Sequence, residues 1–128
     1  MIYVDTSVVL AHLLAEDRSP PDALWAETLV SSRLLEYETW VRLNARGLVG
    51  SHGDLARALI GRVALLELLP PVLARALDPF PVAVRTLDAL HLASIQFLRE
   101  QRQEVSLATY DTRMAEIARA LGIPIAEL

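Results

Sequence analysis

The feature that most constrains the fold is the alternation of short apolar, β-favouring runs with longer stretches of helical character. Ile2-Tyr3-Val4 is the first such run, followed by Thr28-Leu29-Val30, Glu67-Leu68-Leu69, the run from Val105 to Thr109, and Ile123 to Ile125. Runs of this length read as buried strands. Between them, Asp5-Thr6-Ser7 offers N-cap chemistry for a helix over Val8 to Ala15, and Pro20-Pro21-Asp22 opens a short helix containing Trp25. Ser31-Ser32 caps a helix running to about Arg46, where Gly47 stops it. Further helices are expected over 54–66, 71–77, 86–102 (with Thr86 as its cap) and 111–121, the last ended by Gly122. Strands alternating with helices predict an α/β protein, a three-layer α/β/α sandwich around a central parallel sheet. Such sheets bind ligands beyond the C-terminal ends of their strands.

Nothing divides the 128 residues into parts. There is no repeat, no low-complexity tract and no Ser/Gly linker. The prolines at 20–21, 70–71, 79 and 81 read as loop punctuation. One domain over 1–128 is therefore expected. Hydrophobic residues make up 53% of the chain and aromatics only 5%, which implies either a core of Leu, Ala and Val or apolar surface covered by a partner. With no cysteine, disulfides, thiolate metal sites and a cysteine nucleophile are excluded. Charges interrupt every apolar stretch before it reaches membrane-spanning length, and Met1 to Asp5 does not open like a signal peptide. The expected location is cytoplasmic, with no membrane association. The net charge of −4 runs against a nucleic-acid ligand, although a bound metal carries its own positive charge. Every basic residue is arginine, which a G+C-rich coding sequence explains more simply than phosphate recognition.

The acids carry the functional signal. Asp17, Asp22, Asp54 and Asp78 fall in expected loops or at helix starts, and need no special account. Asp5 and Asp111 come at or just past the ends of expected strands, so both belong to one edge of the sheet. Helix capping explains either of them singly. Asp88 lies in the largely apolar segment Thr86-Leu87-Asp88-Ala89-Leu90-His91-Leu92. A carboxylate there needs a counter-charge, from Arg85 or from a metal. Glu36 and Glu38 are two apart on a helix and point to different sides, and spacing does not decide which faces inward. A salt bridge to Arg42 is the plain account of Glu38. Should the acids converge, two carboxylates about 4 Å apart repel by about 4 kcal/mol at an effective dielectric near 20. Such a cluster holds protons or binds a hard cation, and Mg²⁺ and Mn²⁺ prefer oxygen ligands. His91, one turn beyond Asp88, either orients that carboxylate, touches phosphate or is an ordinary packed histidine. His12, His52 and His91 lack zinc-ligand spacing, Ser7 lacks a nucleophile elbow, and no glycine-rich phosphate loop is present.

Three segments together resemble the PIN-domain family, whose VapC toxin branch has chains of this length. Ile2-Tyr3-Val4-Asp5-Thr6-Ser7 is similar to its opening, and Leu87-Asp88-Ala89-Leu90-His91-Leu92-Ala93 to its central motif. Ala108-Thr109-Tyr110-Asp111-Thr112-Arg113-Met114, followed by Leu121-Gly122-Ile123, is similar to its C-terminal motif. The resemblance implies a parallel sheet flanked by helices and four acids around Mg²⁺ or Mn²⁺. By position these are Asp5, Glu38, Asp88 and Asp111, with Glu36 out of phase. It implies endonucleolytic cleavage of RNA, tRNA among the targets, a cognate antitoxin partner and a homodimer. Thr6 and Thr109 match hydroxyl positions beside the acids. Arg85, Arg113 and Arg42 are the expected phosphate contacts.

Two other classes compete. A phospho-acceptor module also gathers acids at strand ends, but it wants a late lysine, and this chain has none. A catalytically silent RNA- or protein-binding module is the alternative to the nuclease.

Overall fold

A computed structural model describes residues 1–128. Strands β1 (Ile2–Val4), β2 (Leu29–Ser32), β3 (Val63–Leu66) and β4 (Ser106–Ala108) form one sheet in the order β3-β2-β1-β4, with every pair parallel. Parallel neighbours need crossover connections. Helices α1 (Thr6–Leu13), α2 (Leu34–Ala45), α3 (Val49–Ile60), α4 (Pro70–Leu77), α5 (Thr86–Glu100) and α6 (Thr112–Ala120) supply them, with a 3₁₀ helix over Asp22–Ala26 leading into β2. The chain steps outward from β1 through β2 to β3, then returns across the sheet to place β4 on the other flank of β1. The direction of winding therefore reverses between β1 and β4.

Side chains alternate along the strands, and this builds the layers. Val4, Leu29 and Ala108 face one side, where they pack with Val8, Val9 and Leu13 of α1, Leu35 and Leu43 of α2, and Ala56 and Leu59 of α3. Tyr3, Val30 and Leu107 face the other, against Leu92 and Ile95 of α5 and Met114, Ile117 and Ala118 of α6. The α4 helix packs on α5. The expected α/β/α sandwich with a parallel sheet is the fold. No helix is long and apolar enough to cross a membrane.

Five local expectations give way. The third helix begins at Val49 and ends at Ile60, and β3 occupies Val63–Leu66 within the span expected to stay helical. The run Glu67–Leu69 expected as a strand lies beyond it. Gly50 and Gly53 lower helix propensity, yet both lie inside α3. At Gly53 a Cβ would stand 3.4 Å from the Trp40 ring, an ordinary contact distance, so α3 packs closely on α2 at this point. A four-residue apolar segment such as Val63-Ala64-Leu65-Leu66 is ambiguous by period, and pairing with Leu29–Ser32 makes it a strand. Ser31 and Ser32 belong to β2, and Ser32 Oγ accepts from the Leu34 amide at 3.2 Å. Thr86 is the first helical residue of α5, while Arg85 takes the cap position without a side-chain cap bond. The last expected strand reduces to one bridge, Leu107 to Ile125.

Candidate active site

A hollow of about 460 Å³ opens over the carboxyl ends of the strands and is lined by Asp5, Glu38, Asp88 and Asp111 together with Thr6, Ser7, Leu10, Glu16, Arg42, Arg85, Thr86 and Leu87. Asp5 follows β1 and Asp111 follows β4, so the hollow sits at the reversal of winding, where open α/β sheets place their ligands. All four acids singled out in the sequence line it.

Asp5 stands at the N-cap position of α1 but makes no side-chain cap bond. It is 6% exposed, and its Oδ2 accepts from Ser7 Oγ at 2.8 Å and Thr109 Oγ1 at 2.7 Å. Its Oδ1 has no hydrogen-bond donor. Asp111 does cap: Oδ1 accepts from the amides of Arg113 at 3.0 Å and Met114 at 3.1 Å, and Oδ2 takes Arg85 Nη2 at 2.6 Å. Both of its oxygens are engaged.

Glu38 projects from the second turn of α2. Its Oε1 accepts from Thr6 Oγ1 at 3.0 Å and from His91 Nε2 at 2.6 Å, and Oε2 is unpartnered. His91 is wholly buried on α5, and its Nδ1 meets Tyr3 Oη at 2.7 Å. Burial opposes charge on this imidazole, but the Tyr3 oxygen, Glu38 and Asp5 favour it and prevail, so its pKa is pushed up to about 10. The sequence left His91 open between orienting Asp88, touching phosphate and ordinary packing; the structure buries it and aims it at Glu38 instead of Asp88. Glu36 turns away from the hollow towards Arg33, at 3.8 Å, and Glu38 has no ion pair with Arg42.

Asp88, in the first turn of α5, accepts Arg85 Nε on Oδ2 at 2.8 Å, and its Oδ1 is unpartnered. Burial lifts its carboxyl above the usual range, Arg85 pulls it down, and Asp5 and Asp111 add to the rise. Arg85 thus bridges Asp88 and Asp111, the counter-charge that the apolar context of Asp88 required. That context is only partly buried: Thr86 and Leu87 are exposed, and full burial begins at His91.

The expected substrate contacts divide. Arg85 and Arg42 line the hollow. Arg113 does not, and its Nη2 donates to the Ala83 carbonyl at 2.7 Å, tying α6 to the segment before α5. Thr6 and Thr109 hold Glu38 and Asp5 from beside them. Sequence reasoning missed three residues. Ser7 binds Asp5 and accepts the Tyr110 amide at 3.0 Å. Glu16 lines the rim, and Tyr3 holds His91. The Asp-Thr-Ser spacing was a signal for Ser7, but nothing local marked Tyr3 or Glu16.

The donor set suits a hard divalent cation. Asp5, Glu38 and Asp88 each have one oxygen held by protein donors and one left without a partner, a carboxylate set of the kind Mg²⁺ and Mn²⁺ take. No three of these acids stand together as a ready-made metal cage. Unscreened carboxylates repel, and Arg85 holds Asp88 and Asp111 on its own guanidinium.

A parallel α/β sandwich with an acid-lined hollow at the reversal of its sheet defines a class of metal-compatible α/β proteins. The model of the PIN domain matches residues 2–120, and the chain belongs to the PIN domain family. It is similar to Ribonuclease VapC47 of Mycobacterium tuberculosis (strain CDC 1551 / Oshkosh), 30% identical over 129 residues that cover 95% of this chain and 93% of the relative. Ribonuclease VapC46 of Mycobacterium tuberculosis (strain ATCC 25618 / H37Rv) is 32% identical over 127 residues, covering 97% and 95%. Ribonuclease VapC35 of the same species is 30% identical over 133 residues, covering 98% and 95%.

Proposed function

We propose that this chain is a divalent-metal-dependent endoribonuclease, the toxin of a type II toxin–antitoxin pair of the VapBC kind. The observation that carries the reading is the hollow itself, where three carboxylates on β1–α1, α2 and α5 each present one unpartnered oxygen. The PIN-domain match and the ribonuclease names of the relatives support it. In this reading Asp5, Glu38 and Asp88 hold the metal. A bound Mg²⁺ or Mn²⁺ supplies an activated water and neutralises charge building on the phosphoryl group.

The chain's own residues do the rest. Ser7 and Thr109 fix Asp5, and Thr6 and His91 fix Glu38. Asp111 holds Arg85, which stands with Arg42 at the rim where a phosphate of the RNA would lie; guanidinium groups suit that contact. The substrate is RNA, tRNA included, and the partner is an antitoxin protein, with both in the cytoplasm. A homodimer accompanies this reading: Leu69 at the N-cap of α4 and Leu73 and Leu77 on it are exposed at four-residue spacing, an apolar stripe of the kind that interfaces cover.

The test is cleavage of end-labelled RNA with and without Mg²⁺ or Mn²⁺. Wild type is expected to cut only with metal. Asp5→Asn is expected to keep its melting curve and lose cleavage by at least about 100-fold, the scale of removing a core stabilising group from an active site. Equal cutting by the purified variant overturns the assignment. RNA bound but never cut under any metal identifies the silent binding module instead.

A further inference from the structure

We propose that Tyr3 and His91 form a buried positioning relay that presents Glu38 to the hollow and so sets the affinity of the site for its metal. The inference rests on the metal reading above and extends it to two residues that never touch the ion or the RNA.

His91 is 0% exposed and lies on α5 in the layer formed with α6. Tyr3, equally buried, stands on β1. Glu38 belongs to α2, whose Leu35 and Leu43 pack in the opposite layer. The bonds Tyr3 Oη to His91 Nδ1, 2.7 Å, and His91 Nε2 to Glu38 Oε1, 2.6 Å, therefore run from the sheet through one helical layer to the other. They are the route by which a side chain on α2 is registered against α5, which carries Asp88.

The chemistry fixes the direction. An ionised carboxylate only accepts, so Nε2 carries a hydrogen and donates to Oε1. On the other side of the ring Nδ1 is anchored by the Tyr3 hydroxyl oxygen, which accepts from the imidazolium and donates to the neutral ring, so the Nε2 contact to Glu38 is held in either state. Thr6 Oγ1 donates to the same Oε1 at 3.0 Å. Oε1 is thereby occupied by two donors, and Oε2 is the oxygen left for the hollow. A glutamate without these partners rotates freely about its side-chain bonds and must be ordered again whenever the ion binds. Groups that orient metal ligands in this way typically change metal affinity by about 10- to 100-fold when removed. A histidine present only to fill space would not need two side-chain partners, one of them lining the candidate site.

The test compares full-length wild type, His91→Leu, His91→Gln and Tyr3→Phe by Mn²⁺ titration calorimetry, with circular dichroism melts to verify folding. His91→Leu is expected to weaken Mn²⁺ binding by about 10- to 100-fold. His91→Gln, whose amide can donate to Oε1, is expected to recover most of that loss. Tyr3→Phe, which removes one oxygen, is expected to weaken binding several-fold. Wild-type affinity in folded His91→Leu overturns the relay, and if that variant does not fold, wild-type affinity in Tyr3→Phe does so. Nitrogen NMR of the metal-free protein separates the two layers of inference. The Nε2-bound proton of His91 is expected far downfield and is expected to shift in Glu38→Gln. A proton that ignores Glu38→Gln overturns the relay by itself. Absence of saturable Mn²⁺ binding by wild type, with the proton behaving as expected, overturns the metal reading and the metal-tuning role while leaving the hydrogen bond in place.

Discussion

Asp5 and Asp111 each lie beyond a parallel strand and directly before a helix, yet only Asp111 uses its carboxylate to cap. Replacing Asp111 with Ala is expected to cost about 1 kcal/mol of stability, the usual worth of an N-cap, and Asp111→Asn much less, because Asn caps as well as Asp. Urea unfolding of the two variants measures the difference, and equal losses would mean that the Arg85 contact, rather than the cap, matters. Asp88 makes the opposite case. It is a half-buried carboxylate beside two others, so Asp88→Asn is expected to raise the melting temperature in EDTA while abolishing stabilisation by Mn²⁺. A lower melting temperature in EDTA would show that its pairing with Arg85 outweighs the repulsion. The sequence made both aspartates candidates but could not tell a cap from a free carboxylate. The discriminating partner of Asp5 is Thr109, 104 residues away, and no local pattern encodes that meeting.

At the scale of elements, the β3 edge of the sheet and the helix before it are where sequence and structure part. Most strands and helices were legible because their apolar periods are clear and their stops are chemical. Gly47 and Gly122 adopt φ of +66° and +74° at helix ends, as a C-terminal glycine should. The α3–β3 boundary was not legible, because propensity around Gly50 and Gly53 argues against the helix that packing against Trp40 secures. This contrast is testable. Gly50 is helical with open space around it, so Gly50→Ala is expected to stabilise by about 0.5–1 kcal/mol. Gly47→Ala forces a side chain into the left-handed region and is expected to destabilise by about 1–2 kcal/mol. Chemical denaturation of the pair checks both signs. Beyond the end of β3, Glu67 pairs with Arg33 at the start of α2, and that hydrogen bond and charge hold the Glu67 carboxyl below its ordinary value of 4.5. A depressed folded pKa stabilises above the ordinary value and loses its effect as pH falls through the folded one. The melting difference between wild type and Glu67→Gln is therefore expected at neutral pH and should close in acid. A difference that persists at low pH would assign it to packing. Both groups are exposed, so the effect is small.

For the whole molecule, charge and topology bear on the same place. The hollow gathers Asp5, Glu16, Glu38, Asp88 and Asp111 against Arg42 and Arg85 in a chain of net charge −4. A polyanion approaching this surface meets its own sign unless a cation intervenes. Mn²⁺ is accordingly expected to raise the melting temperature of wild type in proportion to the logarithm of its concentration above the dissociation constant, and EDTA to reverse it. A melting curve indifferent to both would remove the metal from the account.

The order β3-β2-β1-β4 has a further consequence during synthesis. The strand made first ends as the inner neighbour of the strand made last, with Ile2 paired to Ser106 and Val4 to Ala108. While the chain is still emerging from the ribosome, one flank of β1 is bare, and Asp5 has neither Thr109 nor the wall that Asp111 provides. A nascent chain built this way carries its acids early yet lacks the enclosure that aligns them until β4 has been laid against β1.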